Sequence, residues 1–225
     1  MDYRTATRRE LLKLAAGMAG LPFLLPMSVA CVNSASKVPP TPSSDPLALP
    51  TVLPAGWDPV AFNRARGSAG AIPEAYRAKI DGPDGVNQHL GKHLPYLPQL
   101  PQGTTPSGML AIMWGDASRG YSRHPNAPVS GEFPTGHWYN WIRLRRAVEG
   151  DAEERESRFT SWPSSLAGDT GAFGAYAGSD LAADGGRNTV YFASLPADVG
   201  PGDRVRVHGH CLTHGEYVDF VRLTV

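Results

Sequence analysis

Cysteine is almost absent from this chain. Cys31 and Cys211 are the only two in 225 residues, which excludes a disulfide framework. Neither sign of charge is in excess: 21 Lys and Arg balance 21 Asp and Glu, and the chain without its first thirty residues is slightly acidic. A nucleic-acid binder needs a basic patch to displace counterions from phosphates, so this balance argues against nucleic acid as a partner. No internal repeat is visible. Glycine and proline, by contrast, are plentiful, at 25 and 21 residues. Both interrupt regular elements, which favours a loop-rich β protein over a helical bundle. With 41% hydrophobic residues, the chain has enough apolar material for a core.

A long apolar run is also missing. The first thirty residues contain a short one, preceded by Arg8 and Arg9 and ending at Ser28-Val29-Ala30-Cys31. Lys13, Gly17, Gly20, Pro22 and Pro26 make it a poor spanning helix. Paired arginines, a short apolar core and small residues at its end have the form of a twin-arginine export signal, residues 1–30. The expected partner of that segment is the twin-arginine export machinery. The expected location is outside the cytoplasm, periplasmic or on the cell-surface side. Ser28-Val29-Ala30 suits simple cleavage, whereas Cys31 suits a lipid anchor, and both outcomes stay open. Residues 31–56 are rich in Pro and Ser and read as an extended spacer that does not pack.

Residues 57–89 form an N-terminal extension with a short helix expected over 73–80, stopped by Gly82-Pro83-Asp84-Gly85. Strands are expected over 109–114, 138–148, 158–162, 173–177, 189–195, 204–211 and 217–225. In 138–148, alternation puts Trp138, Asn140, Ile142 and Leu144 on one face. In 204–211, Val205, Val207 and Cys211 share one face and Arg204, Arg206, His208 and His210 the other. About seven short strands with Gly and Pro turns predict an all-β antiparallel sandwich.

All seven histidines follow residue 88. His93 sits in Lys92-His93-Leu94-Pro95, His124 in His124-Pro125-Asn126, and His137 after Gly136. His214 closes Cys211-Leu212-Thr213-His214-Gly215. Cys-x-x-His across a turn can bring a thiolate and an imidazole to one ion, and imidazole suits iron, copper and zinc. Alone, that spacing also fits a buried structural cysteine beside a surface histidine.

Taken together and in this order, the four motifs resemble the iron domain of superoxide reductase, the desulfoferrodoxin and neelaredoxin family. The resemblance covers residues 90–225. It implies an immunoglobulin-like sandwich and a mononuclear non-haem iron, ferrous or ferric. His93, His124, His137 and His214 would be equatorial ligands and Cys211 the axial thiolate, with the opposite axial position open. The implied reaction is reduction of superoxide to hydrogen peroxide. The implied role of Lys92 is to attract superoxide and help deliver protons. No Cys-x-x-Cys pair exists, so the second, rubredoxin-like iron domain of some members is missing. An external electron donor is therefore implied.

Three positions depart from the family pattern. Gly91 stands where a glutamate often caps ferric iron, Leu212 stands where an asparagine follows the cysteine, and residues 127–135 resemble an insertion. Gly91 and the insertion support a second reading, an iron-binding electron-transfer or sensor protein without efficient superoxide turnover; a third reading is a structural zinc site in an interaction domain. His89, four residues before His93, reads as a solvated loop histidine, with a supporting role behind the ligands as the alternative. His208 and His210, opposite Cys211 in the alternation, read as non-ligands.

Overall fold

The computed structural model describes residues 45–162, 171–175 and 183–224. The expected export signal, Cys31 and the spacer up to residue 44 lie outside the described residues. Among the described residues no helix is long and apolar enough to cross a membrane.

Apolar alternation builds two four-stranded antiparallel sheets. One runs β1 (Pro95–Tyr96), β2 (Met109–Trp114), β6 (Thr189–Ser194), β5 (Gly171–Ala175). The other runs β4 (Glu154–Arg158), β3 (Tyr139–Arg146), β7 (Arg204–Cys211), β8 (Gly215–Arg222). In chain order this is the immunoglobulin-like arrangement, A-B-E-D over C′-C-F-G. The expected all-β sandwich is thus observed, with the two-residue β1 added to the seven expected strands. Between the sheets lie Ile112, Trp114, Tyr139, Ile142, Leu144, Tyr191, Val205 and Val207. Cys211, fully buried, closes this core at one end. Truncating Ile112 to Ala would remove about 2–5 kcal/mol of stability, as for other buried large-to-small changes.

Three details correct the reading of the strands. The strand expected at 158–162 is β4, at Glu154–Arg158. Phe159 turns into the core just after the strand ends. The strand itself is held by charge: Arg143 donates to Glu156 at 2.7 Å, and Arg206 pairs with Glu154. The strand expected at 173–177 starts earlier, at Gly171, and residues 176–177 lie outside the described residues. In β3 the register against β7 shifts between Tyr139 and Trp141, which leaves Asn140 as a bulge residue. Tyr139 therefore turns inward, while the Asn140 amide meets outer-face His210 at 2.6 Å.

The N-terminal segment is part of the body. Helix α1 (Pro59–Arg66) starts at Asp58, whose carboxylate accepts from the Val60 and Ala61 amides. Fully buried Asn63 on α1 donates to the Val218 carbonyl at 2.7 Å and accepts from the Val218 amide at 2.8 Å. Helix α2 (Glu74–Ile80) follows Pro73, close to the expected 73–80. Ile72, Tyr76, Ile80 and Leu90 pack with Leu94 and Tyr217 of the sandwich in one apolar cluster. The stretch expected as spacer also packs by its end: Arg206 donates to the Pro50 carbonyl and Arg145 to the Thr51 carbonyl, each at 2.8 Å. Two buried guanidinium groups need acceptors, and the carbonyls of this segment supply them.

Candidate metal centre

Four loops and one strand end meet at the end of the sandwich where Cys211 lies. A single tight helical turn, Gly91–His93, delivers His93 just before β1. His124 lies in the loop after β2. His137 is fixed by paired backbone bonds with Ala127, both 2.9 Å, which also close the 127–135 loop. Cys211 ends β7 and His214 sits in the turn to β8. Gly215 adopts φ +86, and a Cβ there would stand 2.3 Å from the Ala71 carbonyl, so this turn requires glycine.

The donor atoms of His93, His124, His137, Cys211 and His214 all lie within 4.8 Å of one another. The rings form a closed circuit. Neighbouring centroids are 5.0 Å apart for His93 and His214, 4.6 Å for His214 and His137, 4.4 Å for His137 and His124, and 4.9 Å for His124 and His93. Cys211 Sγ is 3.5 Å from His124 Nε2 and 3.8 Å from His214 Nδ1, on opposite corners, which puts it near the axis of the circuit. His214 Nδ1 stands 3.1 Å from His93 Nε2 and 3.0 Å from His137 Nε2. Two imidazole nitrogens bound at right angles to one ion at about 2.1 Å stand about 3.0 Å apart. The spacing fits a shared ion.

Hydrogen bonds settle which nitrogen faces inward. His93 Nδ1–H donates to the His89 carbonyl at 2.7 Å, leaving Nε2 bare. Asn126 donates its amide to the His124 and Gly186 carbonyls, so its oxygen is an acceptor. That oxygen accepts from Tyr191 at 2.5 Å and from His124 Nδ1 at 3.1 Å, which leaves His124 Nε2 bare as well. One nitrogen of His214 cannot donate to two facing neighbours at once. Lone pairs crowded in this way repel unless a cation accepts them. His137 Nδ1 is a buried atom with no protein partner among the described residues.

Burial shapes the charge of the site. His93 and Cys211 are fully buried, His124 and His137 are 1% exposed, and His214 is 9% exposed. Burial first, and then the mutual proximity of imidazoles and Lys92, hold His93 and His124 well below the usual histidine range. Burial depresses His137 to about 3 and His214 to about 2. The imidazoles are therefore neutral donors at pH 7. Burial pushes the Cys211 thiol up to about 12, against amide hydrogen bonds from Thr213 and His214. Binding a metal must then displace the thiol proton. Lys92 is half-buried, its Nζ 5.4 Å from the centre of the Tyr76 ring, and burial lowers it to about 8.

All five residues expected as ligands are thus brought together, with Lys92 beside them. His208 and His210 lie on the outer face of the sheet, as the alternation predicts. His89 is more than a solvated loop residue, because its carbonyl orients His93. Its ring is half-exposed and faces the Tyr76 hydroxyl. Sequence reasoning also missed the ring contacts that wall the site. Tyr76 stacks on His214, Tyr217 on His93, and Phe133 on His137. Asn126 was visible in the His-Pro-Asn motif, but no local signal gave its role. Gly91 is required by packing: a Cβ there would lie 2.3 Å from the Tyr121 ring, so no glutamate fits at this position.

Fold and site together define an all-β sandwich with a buried four-histidine, one-cysteine group that could hold a metal ion. Compared with known proteins, the chain matches no family model, no curated protein and no solved structure.

Proposed function

We propose that this protein is an exported mononuclear non-haem iron protein that reduces superoxide to hydrogen peroxide with electrons from an external donor. The observation that carries the reading is the closed circuit of four neutral imidazoles with a thiol near its axis. Iron is the metal of choice because the reaction needs a one-electron change that zinc cannot make. His93, His124, His137, His214 and Cys211 would hold the iron, which would supply the one electron that, with two protons, takes superoxide to hydrogen peroxide.

The chain's own residues do the rest. The imidazoles bind without carrying charge, and Cys211 contributes negative charge once its proton has left. Asn126 and the His89 carbonyl hold His124 and His93 in the binding tautomer. The Lys92 ammonium draws an anion toward the centre, and salt weakens that attraction. With Lys92 lowered to about 8, it can also give up a proton near neutral pH more readily than a solvated lysine. The Arg8–Arg9 segment and the small residues before Cys31 support export. Replacing both arginines by lysine should trap the precursor inside the cell.

Metal analysis with an optical spectrum tests the metal, and superoxide generated by radiolysis pulse tests the reaction. The expected results are one iron per chain, a visible thiolate band in the oxidised protein, and rapid consumption of superoxide. Lys92→Ala should keep iron and spectrum and react about 10-fold more slowly at low salt. Stoichiometric zinc after native expression would sink the iron reading. Iron with its thiolate band but no reaction with superoxide would instead favour the electron-transfer or sensor reading, which draws support from the near-complete burial of all five donors.

A further inference from the structure

Tyr76 touches this centre from a segment outside the four histidine motifs. Its ring lies flat on His214, with centroids 3.6 Å apart and 23° between planes. Its hydroxyl donates to the His89 carbonyl at 3.3 Å, the same carbonyl that receives His93 Nδ1–H. It is 5% exposed and packed among Ile72, Ile80, Leu90, Leu94 and Tyr217. Helix α2 therefore presses a rigid aromatic face onto one histidine and steadies the acceptor of another.

His214 needs such a support more than its neighbours do. His93 and His124 spend Nδ1 on hydrogen bonds that fix their ring planes, and the His137 ring is stacked on Phe133. His214 turns Nδ1 inward, so this anchor is not open to it. It is also the most exposed of the five donors. Histidine χ2 is broad and roughly two-fold, and a flip would replace Nδ1 by carbon. A flat ring on the imidazole face restrains that rotation.

We infer that Tyr76 is a positioning residue that holds the His214 ring with Nδ1 toward the centre, an inference that rests on reading the five-residue group as a metal centre. The N-terminal helices are then part of the site's construction. The stack carries the effect, and the hydroxyl, tied to a backbone carbonyl, is secondary.

Cobalt(II) is a suitable probe because its visible bands report coordination without any turnover. The measurement is the spectrum of the cobalt-loaded full chain and the rate at which excess chelator removes the ion. Tyr76→Leu should release cobalt about 10-fold faster than wild type and shift its visible bands, the scale seen when groups orienting metal ligands are removed. Tyr76→Phe should restore both to within about two-fold, since the ring face remains. Ile80→Ala opens a gap in the same apolar cluster without touching a histidine. It should lower thermal stability yet keep the wild-type spectrum and release rate. Should Tyr76→Leu fail to fold, Tyr76→Met carries the same comparison. Identical release and spectrum in wild type and Tyr76→Leu would overturn the inference. So would Ile80→Ala matching Tyr76→Leu, or Tyr76→Phe matching it. A wild-type chain that takes up no cobalt would overturn the metal-centre reading itself, a result distinct from those three.

Discussion

Strand β7 and the turn after it carry histidines of two kinds. On the outer face, His208 meets the Glu216 carboxylate at 2.9 Å and His210 meets the Asn140 amide at 2.6 Å. At the inner end, His214 points its nitrogen at two other imidazoles and a thiol. All are partly or fully withdrawn from water. Each outer ring has one nitrogen on a polar protein partner, whereas the inward nitrogens of the inner group meet only one another and a thiol. Burial with a partner makes a structural histidine, and burial among acceptors makes a place for a cation.

The largest test of that contrast removes two members of the inner group and one of the outer. Cys211→Ser should abolish the visible thiolate band, and His124→Ala should weaken metal binding at least about 100-fold. His208→Ala should leave both unchanged. Equal metal loss from the inner and outer substitutions, read by elemental analysis of purified chains, would erase the distinction.

A smaller effect comes from removing the ion. A site filled at about a thousand times its dissociation constant stabilises the fold by about 4 kcal/mol, or about 10 °C for a body of this size. Chelation should lower the melting temperature by that amount in wild type and not at all in His124→Ala. The comparison fails if both proteins melt alike with and without chelator.

The smallest effect sharpens the outer half. Burial holds His208 below its ordinary value, despite the hydrogen bond and charge of Glu216, and the nearby Arg66 and Arg143 push the same way. A histidine with a lowered folded value is protonated first in the unfolded chain. Its contribution to stability is present above about pH 6.5 and declines as pH falls below that value. The limiting slope is about 1.4 kcal/mol per pH unit for one proton. His208→Gln should flatten the fall in urea stability between pH 6.5 and 5.5. Parallel curves for the two proteins would show that His208 does not titrate there.

The centre of this molecule was more legible in the sequence than its walls. The five donors sit in short motifs whose order and flanking residues carry information, and Cys211 lies on the inward face that the alternation of β7 predicts. Strands β2, β6 and β7 were legible for a similar reason: apolar residues recur where the sheets face each other. Strand β4 was not, because Glu154, Glu156 and Arg158 form its outer surface through ion pairs and mimic a loop in composition. The bulge at Asn140 was equally hidden, since one extra residue breaks a period without changing its chemistry. Tyr76 stood in the expected helix, yet its partner His214 lies 138 positions further on, and no local pattern reports such a contact. The packing of Pro50 and Thr51 rests on bare carbonyls, which every residue type possesses.

Asn63 has a consequence for how this protein behaves in company. Strand β8 is the outermost strand of its sheet, and an outermost strand offers unpaired peptide groups to any extended chain that drifts past. At Val218 those groups are already taken, because the Asn63 side-chain amide accepts from one and donates to the other, as a neighbouring peptide would. Helix α1 thus plugs the sheet with a single side chain. It guards the molecule against adding a further strand from another copy of itself, at a point where β-branched Val218 would otherwise invite one.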